Sequence, residues 1–117
     1  MSNELNVSVN LNFNKSGVSI NQSANYSVSV TGVQLVQEVV SIPTTDTALN
    51  LSSIGTVGYI QIINTDNINY VTIGPDGTNY PLKLNSGESL LCRWNAAAIH
   101  VKAHTAACAI QYAVFSD

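Results

Sequence analysis

His100 and His104 are the chain's two histidines, and Cys92 and Cys108 are its two cysteines. These are the residue types from which a zinc centre or a thiolate nucleophile is built. Their spacing does not favour either. Four strand residues cover about 13 Å, too far for both imidazoles to bind one ion unless the chain bends. Two cysteines alone do not mark an oxidising compartment, so Cys92 and Cys108 are expected as free, largely buried thiols and the histidines as structural or surface residues, with a Cys92–Cys108 disulfide or a mixed His–Cys metal site assembled by folding as the alternatives. Asp66-Asn67-Ile68-Asn69 has the oxygen content of a calcium loop but neither the spacing nor the terminal acid of an EF-hand. Asp and Asn bond readily to nearby backbone, so this segment and Asp76-Gly77 are expected to be turns. The seven carboxylates are scattered, and there is no local serine-nucleophile motif or phosphate-cradling glycine loop. No catalytic, cofactor or metal residue is assigned, and the expectation is a protein that is not an enzyme.

Tyr70, Tyr80 and Trp94 are the candidate recognition residues, with Tyr112 a further ring of interest. An exposed aromatic group stacks on a sugar or docks a protein at modest entropy cost. The opposing expectation is core packing with the polar atom reaching the edge, and for Trp94 a core or subunit contact is favoured over a sugar site.

The elements that must carry these residues are strands. Residues 5 to 13 alternate strictly, so Leu5, Val7, Val9, Leu11 and Phe13 share one face and Asn6, Ser8, Asn10 and Asn12 the other. Asn14-Lys15-Ser16-Gly17 has turn chemistry, and Val18 with Ile20 resumes the alternation, which predicts an N-terminal hairpin or strand pair. The polar run Asn21-Gln22-Ser23-Ala24-Asn25 predicts a break before Tyr26, Val28 and Val30, and Thr31-Gly32 a further turn. Strands are expected over 33–42, 47–51, 57–64, 70–73, 80–84, 90–94, 99–103 and 107–115, with residues 74–79 a hairpin connection. The alanine groups at 96–98 and 106–107 are set in β-type alternation and are not assigned to helix.

Turn signals about every ten residues and frequent β-branched residues predict an all-β fold, a single antiparallel β-sandwich or jelly-roll-like domain with an N-terminal extended strand or hairpin. Residues 1–32 are read as that extension and residues 33–117 as the sandwich. The extension is the candidate intersubunit arm, Leu5, Val7, Val9, Leu11 and Phe13 packing inward while the Asn-Ser face stays wet or bonds to a neighbour.

With 117 residues the chain holds one ordinary domain. Its 9% charged residues fall well below the usual share of about 25%, so amides and hydroxyls must keep it in solution. Such a surface repels its own copies weakly and tolerates close packing in an assembly, and it suits a secreted domain equally. A net charge of -3 and four dispersed bases, Lys15, Lys83, Arg93 and Lys102, argue against direct nucleic-acid binding. No apolar run reaches the roughly 18 residues of a spanning helix and the start lacks signal-peptide features, so a soluble chain with no membrane partner is expected. The Asn-x-Ser matches at Asn6, Asn14, Asn21, Asn25 and Asn50 then reflect composition rather than glycosylation.

The second half also carries a resemblance. The run from Gly58 to Gly74, with an Asn-Thr-Asp turn before a Tyr-Val strand, is followed by Pro81-Leu-Lys-Leu-Asn-Ser-Gly-Glu88, Leu91-Cys-Arg93, Lys102-Ala-His-Thr-Ala-Ala107 and Ile110-Gln-Tyr112. Over about residues 55–115 this pattern resembles small β-rich structural proteins of tailed bacteriophages. The resemblance implies a virion building block, assembled in the host bacterial cytoplasm, most simply a capsid decoration or cementing protein. A neck, tail or baseplate component is the neighbouring alternative. It implies a homo-oligomer, a trimer rather than a monomer, in contact with a major capsid protein or a tail or neck protein. It brings no catalytic residues. Gly87 turns the chain in this pattern, Leu82, Leu84, Leu90 and Cys92 supply core, and Glu88 takes the turn's backbone donors. The competing class is a carbohydrate-binding adhesion module, which needs an exposed platform near Trp94 or the Tyr70 and Tyr80 strands.

Overall fold

The computed structural model describes residues 4–30, 32–51 and 54–117. The chain divides into two units, Met1–Thr31 and Gly32–Asp117.

The first unit is a β-hairpin. β1 (Leu5–Lys15) pairs antiparallel with β2 (Val18–Val28) in unbroken register, from Leu5 opposite Val28 to Lys15 opposite Val18. Ser16 and Gly17 join them with φ of 51° and 82°. Two successive positive φ values in a two-residue loop match the right-handed twist of the flanking strands and keep the ribbon in register. The break expected at residues 21–25 does not occur, because β2 runs through it. Asn21, Ser23 and Asn25 fall opposite Asn12, Asn10 and Ser8, so the polar run continues one face of the ribbon rather than ending a strand. Ser8 Oγ donates to Asn25 Oδ1 at 2.7 Å and Ser27 Oγ to Asn6 Oδ1 at 2.8 Å. The turn expected at Thr31-Gly32 lies partly outside the described residues.

The second unit contains β3 (Leu35–Ile42), β4 (Thr47–Ala48), β5 (Val57–Asn64), β6 (Val71–Gly74), β7 (Leu82–Leu84), β8 (Ser89–Arg93), β9 (His100–Ala103) and β10 (Cys108–Ser116). They form two four-stranded antiparallel sheets, ordered β3-β10-β5-β8 and β4-β9-β6-β7. The pairing is nested: β6 with β7, β5 with β8, β4 with β9 and β3 with β10. The fold is therefore all-β, with three antiparallel sheets.

Alternation decides what each strand buries. Along β10, Cys108, Ile110, Tyr112 and Val114 point inward while Ala109, Gln111, Ala113 and Phe115 take the opposite face. These inward residues join Ile60 and Ile62 of β5, Val71 and Ile73 of β6, and Val101 and Ala103 of β9 in one core fed by both sheets. A fully buried aliphatic chain in this set contributes about 1.5–3 kcal/mol relative to its exposed state. Leu84 is buried, and Leu82, Leu90, Cys92 and Trp94 pack against the core. Tyr112 is buried with its hydroxyl 2.9 Å from both Glu38 Oε1 and the Asn50 carbonyl oxygen. No helix occurs among the described residues. The alanines at 96–98 sit in a loop closed by a hydrogen bond from Trp94 Nε1 to the Ala98 carbonyl oxygen at 3.0 Å.

Candidate functional site

Two kinds of chemistry stand out on this scaffold, a ribbon with one apolar face and several polar clusters that tie loops together. On the ribbon, Leu5 is half-buried and Val7 buried, whereas Val9, Leu11 and Phe13 are 40%, 58% and 49% exposed. Burial along this stripe is therefore confined to its first two positions. Pairing places Val18 and Ile20, 60% and 50% exposed, on the same face. Gln22, opposite Leu11, is an uncharged polar side chain in the middle of this row. An open groove of about 730 Å³ runs along the ribbon, lined by Val9, Leu11, Gln22 and Ala24 and also by Asn10, Asn21 and Ser23 of the other face. The other face consists of Asn and Ser alone along the paired strands, Asn6 with Ser27 through to Asn14 with Ser19.

In the second unit the two histidines part company. His100 Nδ1 lies 3.0 Å from Asp46 Oδ2 on the loop before β4. The same carboxylate accepts the Tyr80 hydroxyl, which also reaches the Gly77 carbonyl oxygen at 3.2 Å. The Tyr80 hydrogen bond, with help from His100, holds the Asp46 carboxyl below its ordinary pKa, and the same bond pushes the Tyr80 phenol up to about 12. Asp46 thus bonds to two other segments, those of Tyr80 and His100, and braces them to the loop before β4.

His104 lies beyond the end of β9, and its ring stacks on Tyr70 at 4.5 Å with an interplanar angle of 9°. Its Nε2 is 3.0 Å from Thr72 Oγ1. Lys83 Nζ stands 4.3 Å from the Tyr70 ring centroid. Tyr70 thus carries both an imidazole stack and an ammonium contact within the chain. Lys83 and Lys102 flank Thr72 in register, so folding brings two of the four bases to one sheet face.

Tyr70 and Tyr80 are not gathered into one platform. Tyr70 precedes the four-residue β6 and Tyr80 lies in the connection beyond its far end, about 13 Å along the strand. Trp94 follows β8 in the other sheet, half-buried against the core.

The acidic turns are self-contained. Asp66 Oδ2 accepts the backbone N–H groups of Ile68 and Asn69 at 3.0 and 2.7 Å. Asp76 Oδ1 accepts those of Thr78 and Asn79, each at 2.9 Å, and these bonds with the Asn79 amide lower its carboxyl to about 2. Glu88 Oε1 accepts the Asn85 N–H at 2.8 Å across the turn in which Gly87 has φ of 80°. Cys92 and Cys108 are free thiols, half-buried and buried, and burial raises both pKa values. Among the described residues no group of three His, Cys, Asp or Glu is placed to hold a metal ion, and no helix is long and apolar enough to cross a membrane.

Asn64 is the structural residue that local sequence reasoning passes over. It is fully buried at the end of β5, where Nδ2 donates to the carbonyl oxygens of Asn69 at 3.0 Å and Leu84 at 3.1 Å. Its Oδ1 accepts the Asp66 N–H at 3.0 Å. The Asn64-Thr65-Asp66 turn was the available signal. Its connection to Leu84, twenty positions away, was not.

No family model, curated protein or solved structure matches this chain.

Proposed function

We propose that this chain is a non-enzymatic structural protein of a tailed bacteriophage virion, a capsid decoration or capsid-associated homo-oligomer, and that its eight-stranded unit is a jelly-roll sandwich. The nested strand order carries the reading. Pairs β3–β10, β4–β9, β5–β8 and β6–β7, with β10 beside β5 and β9 beside β6, are what results when one long hairpin is wrapped into two interleaved Greek keys. Jelly rolls recur in capsid and lectin domains. Between those two, the separation of Tyr70, Tyr80 and Trp94 and the engagement of the Tyr70 ring by His104 and Lys83 favour assembly over sugar binding. The sparse charge supports close packing of copies, and the resemblance of residues 55–115 supplies the virion context.

The test is immunogold labelling of purified tailed-phage particles that encode the chain, combined with mass spectrometry of the particles. Multiple labels over the capsid shell are expected. Absence from the particles overturns the proposal, and label confined to the tail or baseplate overturns the capsid assignment.

A further inference from the structure

Resting on that assembly role, we infer that copies of this chain bind one another through the apolar face of the β1–β2 hairpin, hairpin face against hairpin face. Val9, Leu11, Phe13, Val18 and Ile20 are each about half exposed on one side of the ribbon. Together they present on the order of 500 Å² of apolar surface, near the upper end of the largest patch a monomer leaves bare. A lone two-stranded hairpin is marginally stable in water, so this ribbon gains most from a cover on that face. The opposite face is already polar and internally bonded through Ser8–Asn25 and Ser27–Asn6.

The chemistry selects a second copy as the cover. From Leu5 to Phe13 on β1 and from Val18 to Val28 on β2 there is no charged residue; Lys15, opposite Val18, is the one charge on this face, and an antiparallel approach of two copies keeps their ammonium groups at opposite ends. Lys15, at the tip, is the one cation on the paired strands and offers little hold on anionic lipid headgroups. Two such faces together bury on the order of 1,000 Å², the lower bound for a specific interface. A third copy would bring the total well into the standard range. Gln22 carries both a donor and an acceptor, so in the middle of an apolar contact it can pair with its counterpart and set the register.

Light scattering on the full chain tests the inference. The wild type is expected at two or three times the protomer mass, and the triple variant Leu11→Asn, Phe13→Asn, Ile20→Asn as a monomer with the Trp94 fluorescence of the wild type. Site-directed crosslinking gives an independent reading should the triple variant fold poorly. In a Cys92→Ser background, Leu11→Cys should give disulfide-linked dimers under mild oxidation, whereas Asn12→Cys, on the polar face, should not. A monomeric wild type overturns the inference, as does equal crosslinking from both positions. Flotation of a monomeric wild type with phosphatidylcholine–phosphatidylglycerol vesicles would assign the face to membrane instead. An oligomer that survives the triple variant overturns this contact and leaves the virion role standing. A hairpin-linked oligomer absent from phage particles does the reverse.

Discussion

Replacing Asn64 tests whether a single buried amide holds one end of the eight-stranded unit. Asn64→Leu keeps the branching and the number of heavy atoms, with bulkier methyl groups, but removes three hydrogen bonds, to the Asn69 and Leu84 carbonyl oxygens and from the Asp66 N–H. At about 1 kcal/mol net for each bond the loss is about 3 kcal/mol, and more where a stranded carbonyl stays dry. A unit of this length has a total stability of roughly 4–13 kcal/mol, so the variant stands close to the unfolding threshold. The same loss lowers the thermal midpoint by about 12–24 °C. Asn64→Asp sharpens the test. Its carboxylate would face two carbonyl oxygens without water, which raises its folded-state pKa above the unfolded value, and the protonated acid restores one donor. A carboxyl raised in the folded state costs stability as pH climbs past the unfolded value of about 3.9, and the cost vanishes below it. The gap between wild type and Asn64→Asp should therefore be widest at neutral pH and close on acidification toward pH 4. Urea unfolding followed by Trp94 fluorescence, with slopes compared, reads both effects. A loss below about 1 kcal/mol for the leucine variant, or a pH-independent gap for the aspartate, would refute the reasoning.

Two further expectations come from the turns. Asp76 has its carboxyl lowered from 3.8 to about 2 by bonds formed only in the folded turn, so its contribution is present above about pH 4 and is lost as pH falls toward 2. Asp76→Asn should make acid unfolding shallower across that window in a circular-dichroism titration, while Asp46 and Asp66, also lowered, keep part of the slope. A methyl group at Gly74 would sit 1.7 Å from the Asn79 carbonyl oxygen, whereas one at Gly55 meets nothing within 4 Å. Gly74→Ala should cost at least about 2 kcal/mol by thermal denaturation, with Gly55→Ala near neutral.

The strands were legible because alternation and turn chemistry are local. β5 could be read directly from Val57 to Asn64, and Ser16-Gly17 fell within the expected turn. What failed was local evidence whose meaning depends on a distant partner. Asn21 to Asn25 has the composition of a break, yet residues 8 to 12 across the ribbon make it a strand face. The strand expected over 99–103 does end at Ala103, but that the imidazole beyond it turns to Tyr70 depends on a residue more than thirty positions away. The candidate interface residues were visible as a stripe, but the exposure of Val9, Leu11 and Phe13 depends on the folded chain. Nor could Asn64 declare itself, since one of its acceptors is on β7.

The nested pairing has a consequence for the order in which the chain takes shape during synthesis. The hairpin's last paired residue is Val28, so its full register is available once that residue has left the ribosome. β6 and β7 follow as the innermost pair, joined by a short connection. β3, although made before either, has only β10 as a hydrogen-bonded neighbour among the described strands, and β10 is made after all the others of its unit. Long-range pairing of this kind defers the return on loop closure, which slows folding. An amphipathic ribbon is thus complete while the unit behind it still lacks its closing strand, and a nascent chain stopped before Cys108 leaves β3 without a partner and β5 with an open edge.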